Sequence, residues 1–448
     1  MRRAQAAVFA AFLAMGLLRV APSLDWPMVY DDLHLIRPYT TVEIAASWHG
    51  NWDPDGIESA GFRPGSLLFN HLRSRLCGES VVAHRLLIIV LYAAFVALLA
   101  PVAARFGAGP ATVLLAGALM LAERCEIYGY VWMTDGNHML QGLAFAGGAI
   151  FLLDGLDRGD FVRLVLSLSC LKAGLLVRED TLAVVPVVLL LALADLRRQR
   201  RPVPAAFYAY AVVLVLMCAG LMAWRMVFVP EAAPPGHDVR GLLVAVVRVL
   251  NPAGVEAFGP GSRALTLAGW AVLAGFVAAL VRFRNAVDWR GPALWLLAAV
   301  IACAPALNVQ RDDLLFFPGT FVALFYATAA AALAQRKGIV RGSAVVGVVV
   351  LVTASAYMGI VFAENFHPDS ARAVWWNMQM LQGDFADHAT VPPVRREAAA
   401  ARLEQLGVRA GEHPRQRVRE LASDARAAGR RRPSPDHALF VPLLPEPF

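Results

Sequence analysis

Charge is what this 448-residue chain has least of: Asp, Glu, Lys and Arg make up 17% of it, against about a quarter in a soluble domain. Lysine is nearly missing, with Lys172 and Lys337 alone among 41 basic residues. The five cysteines are scattered without metal-ligand spacing, and no zinc signature, Walker motif or phosphate-binding glycine loop occurs. Alternating apolar segments are lacking too, which excludes a membrane β-barrel. What fills the chain is apolar: 58% of residues are hydrophobic and the mean hydropathy is +0.55. Runs near the length of a bilayer crossing recur, so the fold class is an all-α polytopic membrane protein. The net charge of +7 comes from arginines clustered in short loops, where topology accounts for them better than nucleic acid does.

Eleven membrane helices are predicted, near residues 4–24, 81–104, 110–123, 138–154, 161–177, 181–196, 204–226, 263–282, 291–306, 315–334 and 342–363. The first lacks a clear small-x-small cleavage site and reads as a retained span. "RRQRR" (197–201), "RFRNAVDWR" (282–290) and "QRKGIVR" (335–341) share a side with the N-terminus, which the positive-inside rule makes cytoplasmic. A membrane domain, 1–363, then carries a long first outer loop, 25–80, and is followed by an extracytoplasmic Arg/Ala-rich helical tail, 364–448. The heavy Arg and Ala usage points to a bacterial cytoplasmic membrane. Cys77 and Cys125 share the outer side, where an oxidising compartment permits a disulfide.

Charges flush with a bilayer are costly unless they have a use or a partner. Here they gather at outer helix ends. "VYDDLHLIRPY" (29–39) holds Asp31 and Asp32 side by side. The pair either ends a helix and solvates the interface, or supplies a general base, since a desolvated carboxylate beside a second acid has a raised pKa. A divalent cation is a third use, with His34 suited to a softer metal, although no further ligand spacing supports one. Arg63, Arg178 and Arg311 fall on the same face, and guanidinium matches phosphate geometry. Each also has a plain reading: Arg63 snorkelling into headgroups, Arg178 paired with Glu179 across a turn, Arg311 in a helix-start cap with Asp312 and Asp313. His71 is a further candidate, whereas Tyr128, Tyr130 and Trp132 fit an interfacial belt and His138 a satisfied interfacial histidine.

The order of these motifs resembles bacterial membrane glycosyltransferases of the GT-C type. It is most similar to the protein O-mannosyltransferase superfamily and to the transmembrane part of tetratricopeptide-containing O-mannosyltransferases. The resemblance rests on the acidic pair, "FRPGSLLFNHLRSRL" leading to His84 and Arg85, "VWMTDGNHMLQGLAFAGGAIFLLD", "LLVREDTLAVVPVVLLLAL" and "QRDDLLFFPGTFVAL", over most of residues 1–335. It implies sugar transfer from a polyprenyl-phosphate donor to a cell-envelope glycan, lipid or protein acceptor on the outer face, without a cofactor. Asp32 would be the base with Asp31 assisting. Arg63, Arg178 and Arg311 would hold the lipid phosphate, and His34, His71, Glu179 and Asp312 are further substrate-site candidates. The alternatives are a flippase for a lipid-linked glycan or a non-catalytic assembly subunit. Charges concentrated at outer helix ends, rather than in helix midsections, favour the enzyme.

Overall fold

In a bilayer the backbone must satisfy its own hydrogen bonds, and a helix does so within one segment. The computed structural model describes residues 2–57, 61–122, 132–229, 239–251, 260–285, 288–307, 315–336, 338–363 and 371–408. Among the described residues every regular element is helical. The chain runs α1 (Arg2–Val20), α2 (Asp31–Leu35), α3 (Thr41–Ala46), α4 (Pro64–Cys77), α5 (Val81–Arg105), α6 (Pro110–Ala122), α7 (Asn137–Arg158), α8 (Phe161–Val177), α9 (Val185–Arg198), α10 (Ala205–Phe228), α11 (Val239–Leu250), α12 (Pro260–Arg282), α13 (Arg290–Ala302), α14 (Phe316–Ala334), α15 (Ile339–Ala363), α16 (Ala371–Gln382) and α17 (Pro393–Gln405).

All eleven predicted segments are helical. Six helices are long and apolar enough to cross a membrane: Arg3–Ser23, Val81–Arg105, Met133–Arg158, Ala205–Phe228, Phe316–Ala334 and Val340–Tyr357. Of the rest, α6, α8, α9 and α13 have 13, 17, 14 and 13 residues, short of the about 20 that a full crossing needs. Four described helices fall where loops were expected: α2, α3, α4 and α11. α4 starts on Pro64, whose fixed φ suits a first helical position. α11 buries Gly241, Ala245 and Val249 along one stripe; at 12 residues it is too short for a hydropathy scan to separate from a loop.

Burial separates the centre from the rim. The α14 span is 94% buried and the α10 span 17%. Phe321 on α14 packs edge-on to Phe145 of α7 at 5.4 Å and stacks on Trp295 of α13 at 6.1 Å. On α10, Val212, Leu216, Met226 and Val227 face outward, a surface suited to lipid. Close approach of α5 and α7 depends on Gly142, where a Cβ would lie 2.9 Å from the Phe95 ring.

The two ends of the bundle differ in chemistry. α5 begins at Ser80, whose hydroxyl accepts the Ala83 N–H, and its 25 residues rise roughly 37 Å. Arg105 at its far end bridges Asp154 at 2.7 Å, Asp157 at 2.6 Å and Asp195 at 2.7 Å, tying α5, α7 and α9 together. At the near end α2, α3 and α4 of the first loop meet α16 and α17 of the tail. Trp376 and Ala399 of the tail belong to the same apolar core as Met28, Leu33 and Ile36.

Candidate active site

The first loop leaves α1 and is fixed at once by Arg85 of α5, whose Nη1 donates to the carbonyls of Leu24 at 3.0 Å and Trp26 at 2.5 Å. Tyr30 then adopts φ +51°, a left-handed conformation uncommon for a residue with a side chain. Its backbone N–H donates to Asn377 Oδ1 at 3.2 Å, and its ring stacks on Trp376 at 5.8 Å. This turn delivers Asp31 and Asp32 as the first residues of α2, both buried.

Asp32 meets the 3-10 turn Met133–Gly136 ahead of α7. Its Oδ1 accepts the Thr134 N–H at 2.7 Å and the Thr134 hydroxyl at 2.6 Å, and its Oδ2 accepts the Met133 N–H at 3.3 Å. Burial pushes the carboxyl above the usual range, opposed by the Thr134 bonds and by the charges of Arg73 and Arg85. Arg73, on α4, is itself fully buried and donates to the Met133 carbonyl at 2.5 Å. Desolvation lowers its guanidinium to about 10, with Asp32 opposing. Carboxylate and guanidinium thus share a dry setting in which each favours the other's charge.

α2 ends against the tail. Arg395 on α17 donates from Nη1 to the carbonyls of Asp32 at 3.0 Å and Ile36, while its Nε reaches Glu79 Oε2 at 2.5 Å. It satisfies carbonyls that a helix C-terminus leaves without intrahelical partners.

The remaining candidates divide. Arg178 Nη1 lies 3.1 Å from Asp135 and its Nε 3.6 Å from Asp180, so two carboxylates already flank it. Asp135 follows Thr134 directly, which brings Arg178 beside the Asp32 turn. Glu179, expected as its partner, instead accepts the Phe62 N–H and Arg225 Nε, each at 2.7 Å. Arg63 lies over the Trp52 ring at 5.3 Å. His71 Nδ1 accepts the Tyr39 N–H at 2.9 Å and latches the loop to α4. His34 faces Asp53, its Nε2 3.6 Å from Oδ2. Arg311, Asp312, Asp313, Cys125, Tyr128 and Tyr130 lie outside the described residues. Trp132 is buried and stacks on Trp376 at 5.7 Å, an internal contact rather than a belt position.

Sequence reasoning missed Arg73, Thr134, Asp135 and Arg395 as neighbours of the acidic pair, and took Arg85 only as part of a motif. An arginine in the midst of "NHLRSRL" was the available signal for Arg73. Nothing local marks Arg395.

No protein-family model and no curated protein matches the chain. Among solved structures it is similar to the crystal structure of the Archaeoglobus fulgidus oligosaccharyltransferase in the apo form, with a TM-score of 0.42 and 10% identity over 88% of this chain. The chain spans 60% of that protein's length.

Proposed function

We propose that the protein is a membrane glycosyltransferase that moves a sugar from a polyprenyl-phosphate donor to a hydroxyl acceptor at the membrane face bearing the first loop. The observation that carries this reading is the buried Asp31–Asp32 turn set against Arg73 and Arg85, with Arg178 beside it. A carboxylate removes the proton from the acceptor hydroxyl as its oxygen attacks the anomeric carbon. The bond from that carbon to the phosphate oxygen breaks, and polyprenyl phosphate leaves with the electron pair. Guanidinium groups suit the departing phosphate, the part assigned to Arg63, Arg178 and Arg311. Asp32 and Asp31 supply the base, and the three donors on Asp32 hold that carboxylate in one orientation. His34, His71, Glu179 and Asp312 stay as substrate-site candidates, and the chemistry needs no cofactor.

The test is release of polyprenyl phosphate by purified protein in lipid vesicles, from a panel of polyprenyl-phosphate sugars with envelope extract as acceptor. Wild type releases it; Asp31→Asn or Asp32→Asn lowers the rate by about 10²–10⁴-fold, the range of general-base catalysis. A loss confined to Asp31→Asn assigns proton removal to Asp31 and an orienting part to Asp32. Release unaffected by both variants sinks the assignment, and donor binding without turnover points to a flippase or an assembly subunit.

A further inference from the structure

His34, Asp53 and Asp55 lie beside the acid turn rather than in it. His34 is on α2, and the two carboxylates come from the turn after α3. One donor atom from each lies within 4.8 Å of the others, with His34 and Asp53 buried and Asp55 half-buried. The His34 ring is sealed from solvent, yet neither of its nitrogens makes a hydrogen bond among the described residues. Its Nε2 is 3.6 Å from Asp53 Oδ2, beyond hydrogen-bond reach. A buried imidazole with both nitrogens unmet is unfavourable unless a further group takes one of them.

The carboxylates are held from behind. Asp53 accepts the N–H of Asp55 at 3.0 Å and of Ile57 at 2.9 Å. Asp55 accepts the Thr390 N–H at 3.0 Å, the Thr390 hydroxyl at 2.8 Å and Arg37 Nη2 at 3.3 Å. Arg37 is shared, lying closer to Glu43 at 2.7 Å. A carboxylate has about four lone-pair positions, so these donors orient both groups, and the three on Asp55 leave it acceptor capacity. Such outer bonds are what fix metal ligands in place.

We propose that His34, Asp53 and Asp55 bind a divalent first-row transition metal, which clamps the 51–57 turn onto the helix that carries Asp31 and Asp32. One imidazole nitrogen with carboxylate oxygens suits zinc or manganese; magnesium and calcium favour oxygen ligands alone. Ligand bonds of about 2.0–2.2 Å set donor atoms roughly 3–4 Å apart, so the present spread closes by side-chain rotation. The competing arrangement is a protonated His34 in an ion pair with Asp53, which needs no metal. The proposal does not depend on the glycosyltransferase reading, since binding is measured without turnover.

The probe is Mn²⁺, added to chelator-treated full-length protein in lipid nanodiscs and followed by electron paramagnetic resonance. Wild type binds one equivalent, and its spin-echo modulation shows a coupled histidine nitrogen. His34→Ala and Asp53→Asn, checked for folding by size exclusion and near-ultraviolet dichroism, lose that modulation and bind more than about tenfold more weakly. Binding also raises the thermal midpoint of wild type and not of His34→Ala. Wild type without nitrogen modulation overturns the proposal with no variant needed. Equal binding by His34→Ala overturns it as well.

Discussion

Thr134 supplies two of the three described bonds on Asp32, one from its backbone and one from its hydroxyl. Replacing it by Val keeps the shape and the backbone bond but removes the hydroxyl. A hydrogen bond to a charged group is worth about 1.5–3 kcal/mol, and Thr134→Val should lower stability by that order in a thermal melt. Glu43 gives the pH dependence. Burial raises its carboxyl, but Arg37 and the Thr40 capping box outweigh this and hold it below the usual range. A folded pKa below the unfolded one means the contribution is whole above the ordinary glutamate range. It is lost as pH falls through the depressed value. Protection factors for amide exchange across residues 40–48, taken against the intrinsic rate at each pH, should therefore fall in acid, and Glu43→Gln should show lower protection already at neutral pH with less acid dependence.

At the level of elements, α4 and α17 both hold the acid turn, α4 through Arg73 and the Met133 carbonyl and α17 through Arg395 and the α2 carbonyls. Gly65 lets the start of α4 touch the end of α8: a Cβ there would lie 2.8 Å from the Leu176 carbonyl oxygen, while Ser66 Oγ donates to the Val177 carbonyl at 2.6 Å. Backbone cannot rotate aside as a side chain does. Gly65→Ala should displace α4, and with it Arg73, at a cost of about 1–3 kcal/mol as for overpacking; a melt reads that cost, and transfer activity should fall with it. Arg395→Ala strips donors from the α2 carbonyls and leaves Glu79 without its buried partner. Amide exchange at residues 31–37 should rise by more than about tenfold, the equivalent of about 1.4 kcal/mol, while exchange in α5 stays as it was. Unchanged protection at 31–37 would show that α17 merely rests on the loop.

For the whole molecule, the Asp32 cluster and the Arg105 network cap opposite ends of the same helices, so the first loop and the tail share one face. Cysteines placed at the exposed Val42 and Val394 should label from one side of sealed vesicles, and one at Arg200 from the other. This architecture was legible where it depends on hydropathy: all eleven apolar runs are helices, because a long apolar segment has few other ways to satisfy its backbone. The first loop was legible as the place of the acids. Its internal bonds were not. Glu179 turned to Phe62 and Arg225 rather than to the adjacent Arg178, and His71 serves Tyr39, because such choices are made by neighbours distant in sequence. Arg395 was invisible for the same reason, and Arg73 was marked only as an arginine within an apolar segment: nothing in a local pattern says that such a residue will be buried against a carbonyl far along the chain.

The bond from Arg395 to the Asp32 carbonyl joins residues 363 positions apart. At a ribosomal pace of about 5–20 residues per second, Asp32 waits roughly 20 to 70 s for that partner to be made. The nascent protein therefore enters the membrane with its acid turn held only by Arg85 and the Thr134 turn, and the Tyr30 N–H meets Asn377 only once α16 is made. A polypeptide that stalls or is clipped before α17 keeps its apolar spans and can persist in the bilayer, yet it lacks the strap. Synthesis of α17 thus separates a merely inserted chain from one whose acid turn is strapped across 363 positions.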